Sequence, residues 1–133
     1  MSAVVLDTHA LIWMLVDPPK LSSAATDAIK QAVMNGEPVC FSSISIVEIC
    51  YLIEKGRFTV SLLDQLLADM HKVDSALEVI FVTDDIALTL RKIPRDIVPD
   101  MPDRIIAATA LELGLPLVTR DHKIIASGIP TIW

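Results

Sequence analysis

Aromatic residues are scarce: three Phe, two Trp and one Tyr make up 5% of the 133 residues. So few rings argue against a base-stacking platform, and Trp13 and Tyr51 read instead as core or subunit-contact residues. Cysteine is rarer still. Cys40 and Cys50 sit in apolar patterns without metal-ligand spacing, and read as reduced core thiols of a cytoplasmic protein. His9, His71 and His122 likewise lack zinc spacing, and His71 reads as helix surface. No apolar run approaches the roughly 18–20 residues of a membrane helix, because Asp, Glu, His or Lys interrupts each one. A basic leader is missing from the start, where a strand pattern stands instead, so no signal peptide is expected. There is no internal repeat, low-complexity tract or linker, and the expectation is one domain over residues 1–133. Positive charge is also short: the net charge is −6, which argues against a general nucleic-acid binder. That objection weakens if several of the acids converge on bound cations, since an ion inverts the local field.

Apolar residues, by contrast, are abundant at 53%. Such an excess suits sheet strands covered on both faces, or a face hidden against a partner. The order of elements agrees with the first reading. SAVVL, residues 2–6, reads as a strand ending at Asp7, and THALIWML as a helix that stops near Asp17-Pro18-Pro19. Ser22 and Ser23 offer a cap for the helix AATDAIKQAVM, which Asn35-Gly36 closes. PVCFS is a strand, ISIVEICYLIEK a helix ended by Gly56, and VSLLDQLLADMHK a helix with Ser61 as its cap. ALEVIFV is a third strand, and DDIALTLRKI a helix capped by Thr83 or Asp84.

The most informative stretch is residues 98–123, VPDMPDRIIAATALELGLPLVTRDHK. Pro99 and Pro102 fix a loop, Asp103 opens a helix over IIAATALEL, and Gly114 with Pro116 ends it. LPLVT is a short buried strand, Asp121 falls just past it, Ile124-Ile125 extends a short turn, and PTIW closes the chain as an edge strand. Strands alternating with helices predict an α/β fold with a parallel sheet covered on both faces. Such sheets bind ligands beyond the carboxyl ends of their strands, where Asp7 and Asp121 both stand and where Ser42-Ser43 follows the second strand.

Each acid also has a plain reading. Asp7 and Asp121 make good helix caps. Asp103 suits a helix start, with Asp100 as the cap three residues earlier. Glu48 is harder to account for, because its helix is apolar nearly all round and so reads as largely buried. The plain alternative sets it on a narrow solvent stripe with Ser45 and Lys55. A buried carboxylate needs a partner or a metal. Taken together, Asp7, Glu48, Asp103 and Asp121 can converge on one side of the sheet, where they would repel unless cations stood between them. Hard oxygen ligands select Mg²⁺ or Mn²⁺, whose Lewis acidity suits phosphodiester hydrolysis. Thr8, Thr119 and Ser42 can hydrogen-bond a ligating carboxylate or serve turns. Arg104, Arg120 and Lys123 can meet phosphates or form solvated ion pairs.

VVLDTHALIW, SSISIVEICYLIEKGRF, IVPDMPDRIIAATALELGLPLVTRD and the closing HKI together resemble the PIN-domain family. Within that family they are similar to the VapC-type toxins of prokaryotic toxin–antitoxin pairs. The resemblance spans nearly the whole chain. It implies a three-layer α/β/α fold with a parallel sheet of four to five strands. It also implies a Mg²⁺- or Mn²⁺-dependent endoribonuclease, normally dimeric and inhibited by a cognate antitoxin. The family's acidic quartet falls on Asp7, Glu48, Asp103 and Asp121, as catalytic residues and metal ligands, with Thr119 as an associated hydroxyl and Asp100 as an additional acid. Arg120 stands where many relatives carry a small residue. Two readings from other classes remain beside this one. A phosphoreceiver-like Mg²⁺-binding module would use Asp84-Asp85 at the end of the third strand, but offers only Asp7 after the first and leaves Glu48 unexplained. A partner-binding domain without catalysis would account for the apolar excess.

Overall fold

The computed structural model describes residues 2–133, and every statement below concerns these. Five parallel strands and seven α-helices alternate along the chain. Strand β1 (Val4–Leu6) leads into α1 (Thr8–Val16), a single 3₁₀ turn and α2 (Ser23–Met34). Strand β2 (Val39–Ser42) is followed by α3 (Ser43–Glu54) and α4 (Val60–Met70), and β3 (Leu77–Ile80) by α5 (Asp84–Thr89) and α6 (Met101–Leu113). Strand β4 (Leu117–Val118), α7 (His122–Ala126) and β5 (Thr131–Ile132) complete the chain. The sheet order is β3-β2-β1-β4-β5, with every neighbouring pair parallel.

Alternation along the strands builds two cores. Val4, Leu6, Val39, Phe41 and Val118 face one side, against Leu11, Ile12 and Leu15 of α1, Ile29 of α2, Ile49 of α3 and Leu62 and Leu66 of α4. Val5, Cys40 and Leu117 face the other, against Ile86 of α5, Ile106 and Ala110 of α6 and Ile124 of α7. A side-chain period of two is the reason: successive residues of a strand point to opposite faces. The result is a three-layer α/β/α sandwich with a five-stranded sheet, as expected. No helix among the described residues is long and apolar enough to cross a membrane.

The strand order positions the site. From β1 the chain steps outward to β2 and β3, then crosses back to place β4 and β5 on the far side of β1. The order therefore reverses between β1 and β4, and the crevice at such a reversal lies beyond the strands' carboxyl ends. Asp7 leaves β1 at this point, and Asp121 follows β4 three residues after Val118.

Several local expectations are corrected. Pro102 lies inside the first turn of α6 rather than in the preceding loop, a place where its missing N–H costs nothing. Asp100 is the cap, and Gly114 closes the helix in the left-handed region at φ 65°. Thr59, not Ser61, precedes α4, and its hydroxyl pairs with that of Ser61 at 2.6 Å. The fourth strand is shorter than LPLVT, at two residues. Helix α3 is less buried than its composition suggested: Val47 is 47% exposed and Tyr51 60%, whereas Ser45, placed on the solvent stripe in the plain reading of Glu48, is fully buried. Trp13 is buried as expected, while Tyr51 is not in the core.

Candidate metal centre

A cavity of about 970 Å³ opens at the carboxyl ends of β1 and β4. Asp7, Glu48, Asp100, Asp103 and Asp121 all line it, together with Thr8, His9, Trp13, Arg120, His122, Lys123 and Trp133. The acids come from four places in the sequence. Asp7 caps α1, its Oδ1 accepting from the Ala10 N–H at 2.8 Å. Asp121 caps α7, accepting from Lys123 N–H at 2.8 Å and Ile124 N–H at 3.1 Å. Asp100 caps α6 through the Asp103 N–H at 3.2 Å, which places Asp103 in the first turn. Glu48 projects from the middle of α3. Capping thus holds three of the five carboxylates in place, and a carboxylate retains lone pairs beyond those its cap engages.

Glu48 is oriented by hydroxyls. Thr8 Oγ1 donates to its Oε1 at 2.5 Å and lies 2.8 Å from Ser45 Oγ. Ser45 stands one turn before Glu48 on the same face of α3, so the pair ties α1 to α3 beneath the cavity. This role for Ser45 escaped the sequence reading, although its spacing from Glu48 was a usable signal. Thr119, fully buried, accepts from the Asp121 N–H at 3.0 Å.

Carboxylate oxygens of Glu48, Asp100 and Asp103 lie within 4.8 Å of one another, close enough to share one ion. Their mutual cost is visible in their acidity. Burial first, then Asp100, Asp121, Glu48 and Asp7, push Asp103 up to about 7. Burial likewise raises Glu48, with the Thr8 hydroxyl opposing and Asp100 adding repulsion. Asp7, 9% exposed, is raised chiefly by burial, against the pull of Thr119 and the Ala10 N–H. Desolvation and like charge both disfavour the ionised form, and a cation relieves both. An all-oxygen donor set of this kind suits a hard divalent ion.

The other expected residues divide. Arg104 does not reach the acids: its Nη2 donates to the carbonyls of Leu90 and Ile93 at 3.0 and 2.9 Å, tying α6 to the turn before it. Lys123 and Arg120 line the cavity without forming an ion pair there; the single ion pair among the described residues is Lys20–Asp17, elsewhere. Ser42 caps α3 and is fully buried. Asp84 and Asp85 open α5 behind a Thr83 cap and take no part in lining the cavity. That placement removes the second acid group on which a phosphoreceiver reading relies.

The family model of the PIN domain matches residues 4–127. The chain is 30% identical over 136 aligned positions to Ribonuclease VapC22 of Mycobacterium tuberculosis (strain ATCC 25618 / H37Rv), covering 100% of each. Its fold is similar to that of VapBC2 from Rickettsia felis bound to a DNA fragment from their promoter, with a TM-score of 0.73, 16% identity and coverage of 98% and 99%. A toxin–antitoxin complex from Klebsiella pneumoniae contains a chain with 27% identity and a TM-score of 0.61, covering 98% of this chain and 96% of that one.

Proposed function

Because the chain belongs to the PIN-domain family, we propose that it is a divalent-metal-dependent endoribonuclease, the toxin of a toxin–antitoxin pair. The observation that carries this reading is the convergence of five carboxylates on one cavity at the strand-order reversal, three of them within 4.8 Å of each other. Its ribonuclease relative supports the choice of RNA as substrate. Residues 1–133 act as one nuclease unit in the cytoplasm. The partners are a cognate antitoxin and a second copy of the chain, and exposed apolar side chains such as Val47, Tyr51, Phe81 and Met101 are suited to such contacts.

Asp7, Glu48, Asp103 and Asp121 hold Mg²⁺ or Mn²⁺, with Asp100 as a further donor beside Glu48 and Asp103. When bound, the cation supplies Lewis acidity at the phosphodiester and lowers the pKa of water. The chain supplies the positioning. Asp7 and Asp121 are fixed by backbone N–H groups, so little side-chain freedom is lost on ligation. Thr8 keeps Glu48 turned toward the cavity, and Thr119 braces the turn that carries Asp121.

Cleavage of RNA in Mg²⁺, its loss in EDTA, and its loss in Asp7→Asn are the expected results of a direct assay. Equal activity in all three would dispose of the reading. The Thr8 hydroxyl gives a subtler check. Thr8→Val keeps the shape but frees Glu48, and is expected to weaken Mn²⁺ binding by about 10- to 100-fold in a titration, with the fold intact by circular dichroism.

A further inference from the structure

Arg120 occupies an unusual place for a cation beside so many acids. It sits between Thr119 and Asp121 on the loop leaving β4, lines the acidic cavity and is exposed. Its guanidinium nevertheless pairs with no carboxylate and makes no hydrogen bond among the described residues. It lies over the indole of Trp13 instead, its central carbon 4.7 Å from the ring centroid. Trp13 is itself buried. It is 8% exposed, and its ring lies 5.6 Å from that of His9 and 5.7 Å from that of Trp133, centroid to centroid, both tilted. The backbone around Arg120 is held as well, by the Thr119 N–H to Ile132 carbonyl bond at 3.1 Å and the Asp121 N–H to Thr119 hydroxyl bond at 3.0 Å.

Cation–π attraction therefore restricts a side chain that would otherwise turn freely. Five N–H donors are left in a rigid planar fork, the geometry that matches a phosphate through two parallel hydrogen bonds. Arg104 provides the contrast. Its Nη2 is engaged by the Leu90 and Ile93 carbonyls, its Nε is buried, and it does not line the cavity. Lys123 also lines the cavity, but it offers a flexible point charge that no ring restrains. A polyanion approaching a chain of net charge −6 needs such an anchor on the cavity wall.

Resting on the ribonuclease reading above, we propose that Arg120, clamped over Trp13, is a positioning residue that receives a phosphate of the RNA strand at the edge of the acidic cavity. It acts on substrate placement, and the acids act on the ion.

The test uses the whole protein, a labelled single-stranded RNA of randomised sequence, and single-turnover cleavage in Mg²⁺. Arg120→Ala is expected to raise the half-saturating protein concentration about 10-fold or more, with a smaller change in the limiting rate. The slope of log affinity against log salt should become shallower by about 0.7, the loss of one phosphate contact to a single strand. Arg120→Lys should restore that slope but only part of the affinity, because the charge returns without the fork. Arg120→Gln, which keeps a planar group over Trp13 without the charge, should behave like Arg120→Ala. Mn²⁺ affinity should be unchanged or tighter in all three variants. A glutamine variant indistinguishable from wild type, or an alanine variant with unaltered half-saturation and salt slope, would overturn the proposal while leaving the nuclease reading in place. Wild-type protein that fails to cleave RNA in Mg²⁺ would instead end the nuclease reading, and this proposal with it.

Discussion

Asp103→Asn is expected to abolish RNA cleavage and, in the absence of metal, to make the protein more stable at pH 8. The two effects have one cause. Asp103 is pushed from an ordinary value of 3.8 up to about 7 by burial and by the four surrounding acids. Between those two values the folded state binds more protons than the unfolded state, so stability falls as pH rises. The full cost is present above pH 7, where Asp103 must be ionised in the folded protein. An amide of the same shape removes it. Asp103 is only partly buried, so solvent screening reduces the benefit to about 1 kcal/mol, or about 4 °C in Tm. At pH 5 and below, where Asp103 is protonated in the folded state, the gain should shrink. Cleavage should fall by at least about 100-fold, since polarisation by a held cation is worth several kcal/mol and each 1.4 kcal/mol is tenfold. Thermal melts of metal-free wild type and variant at pH 5 and pH 8, beside cleavage assays in Mg²⁺, check both halves. A variant less stable than wild type at pH 8 would contradict the repulsion on which this reasoning rests.

Metal should reverse the same cost in the wild-type protein. A divalent ion bound by the folded state alone raises stability by about 2.7 kcal/mol at a hundred times its Kd. The increment should grow with pH, because a proton on Asp103 competes with the ion. Apparent affinity is expected to fall by up to about tenfold for each pH unit below 7. Burial raises Glu48 and Asp7 too, so their protonation competes in the same direction. Melting curves with and without Mn²⁺ should therefore separate widely at pH 8, draw together at pH 5.5, and collapse onto the metal-free curve in EDTA. An increment independent of pH would place the ion away from these carboxylates.

Much of this arrangement is legible in the sequence, because local rules place the acids. The readings of Asp7, Asp100 and Asp121 as helix caps are correct: each accepts from the backbone N–H groups that capping requires. Capping and cation binding are compatible uses of one carboxylate. A helix that starts at a strand's carboxyl end delivers its cap to the rim where such sheets bind ligands. What local rules do not contain is the order of the strands. The reversal between β1 and β4 depends on which neighbour each strand selects, and that choice is made by packing across the whole sheet.

The same limit explains the residues read less well. Helix α3 is apolar on most sides, and composition cannot say which side meets the sheet; Val47 and Tyr51 remain exposed while Ser45 is enclosed. Arg104 and Arg120 both adjoin an acid of the quartet in sequence. One turns to the Leu90 and Ile93 carbonyls and the other to Trp13, residues that only the fold brings near. Aromatic scarcity was a fair argument against a stacking platform, yet both tryptophans line the cavity. A count carries no information about where its members gather.

The central claim is that a cation stands among these carboxylates and makes their proximity tolerable. Anomalous scattering from crystals soaked in Mn²⁺ at pH 8 tests it most directly. The expected result is a peak about 2.1 Å from oxygens of Glu48 and Asp103 inside the cavity, absent from crystals of Asp103→Asn. A cavity with no anomalous density at saturating Mn²⁺, in protein that still cleaves RNA, would contradict it.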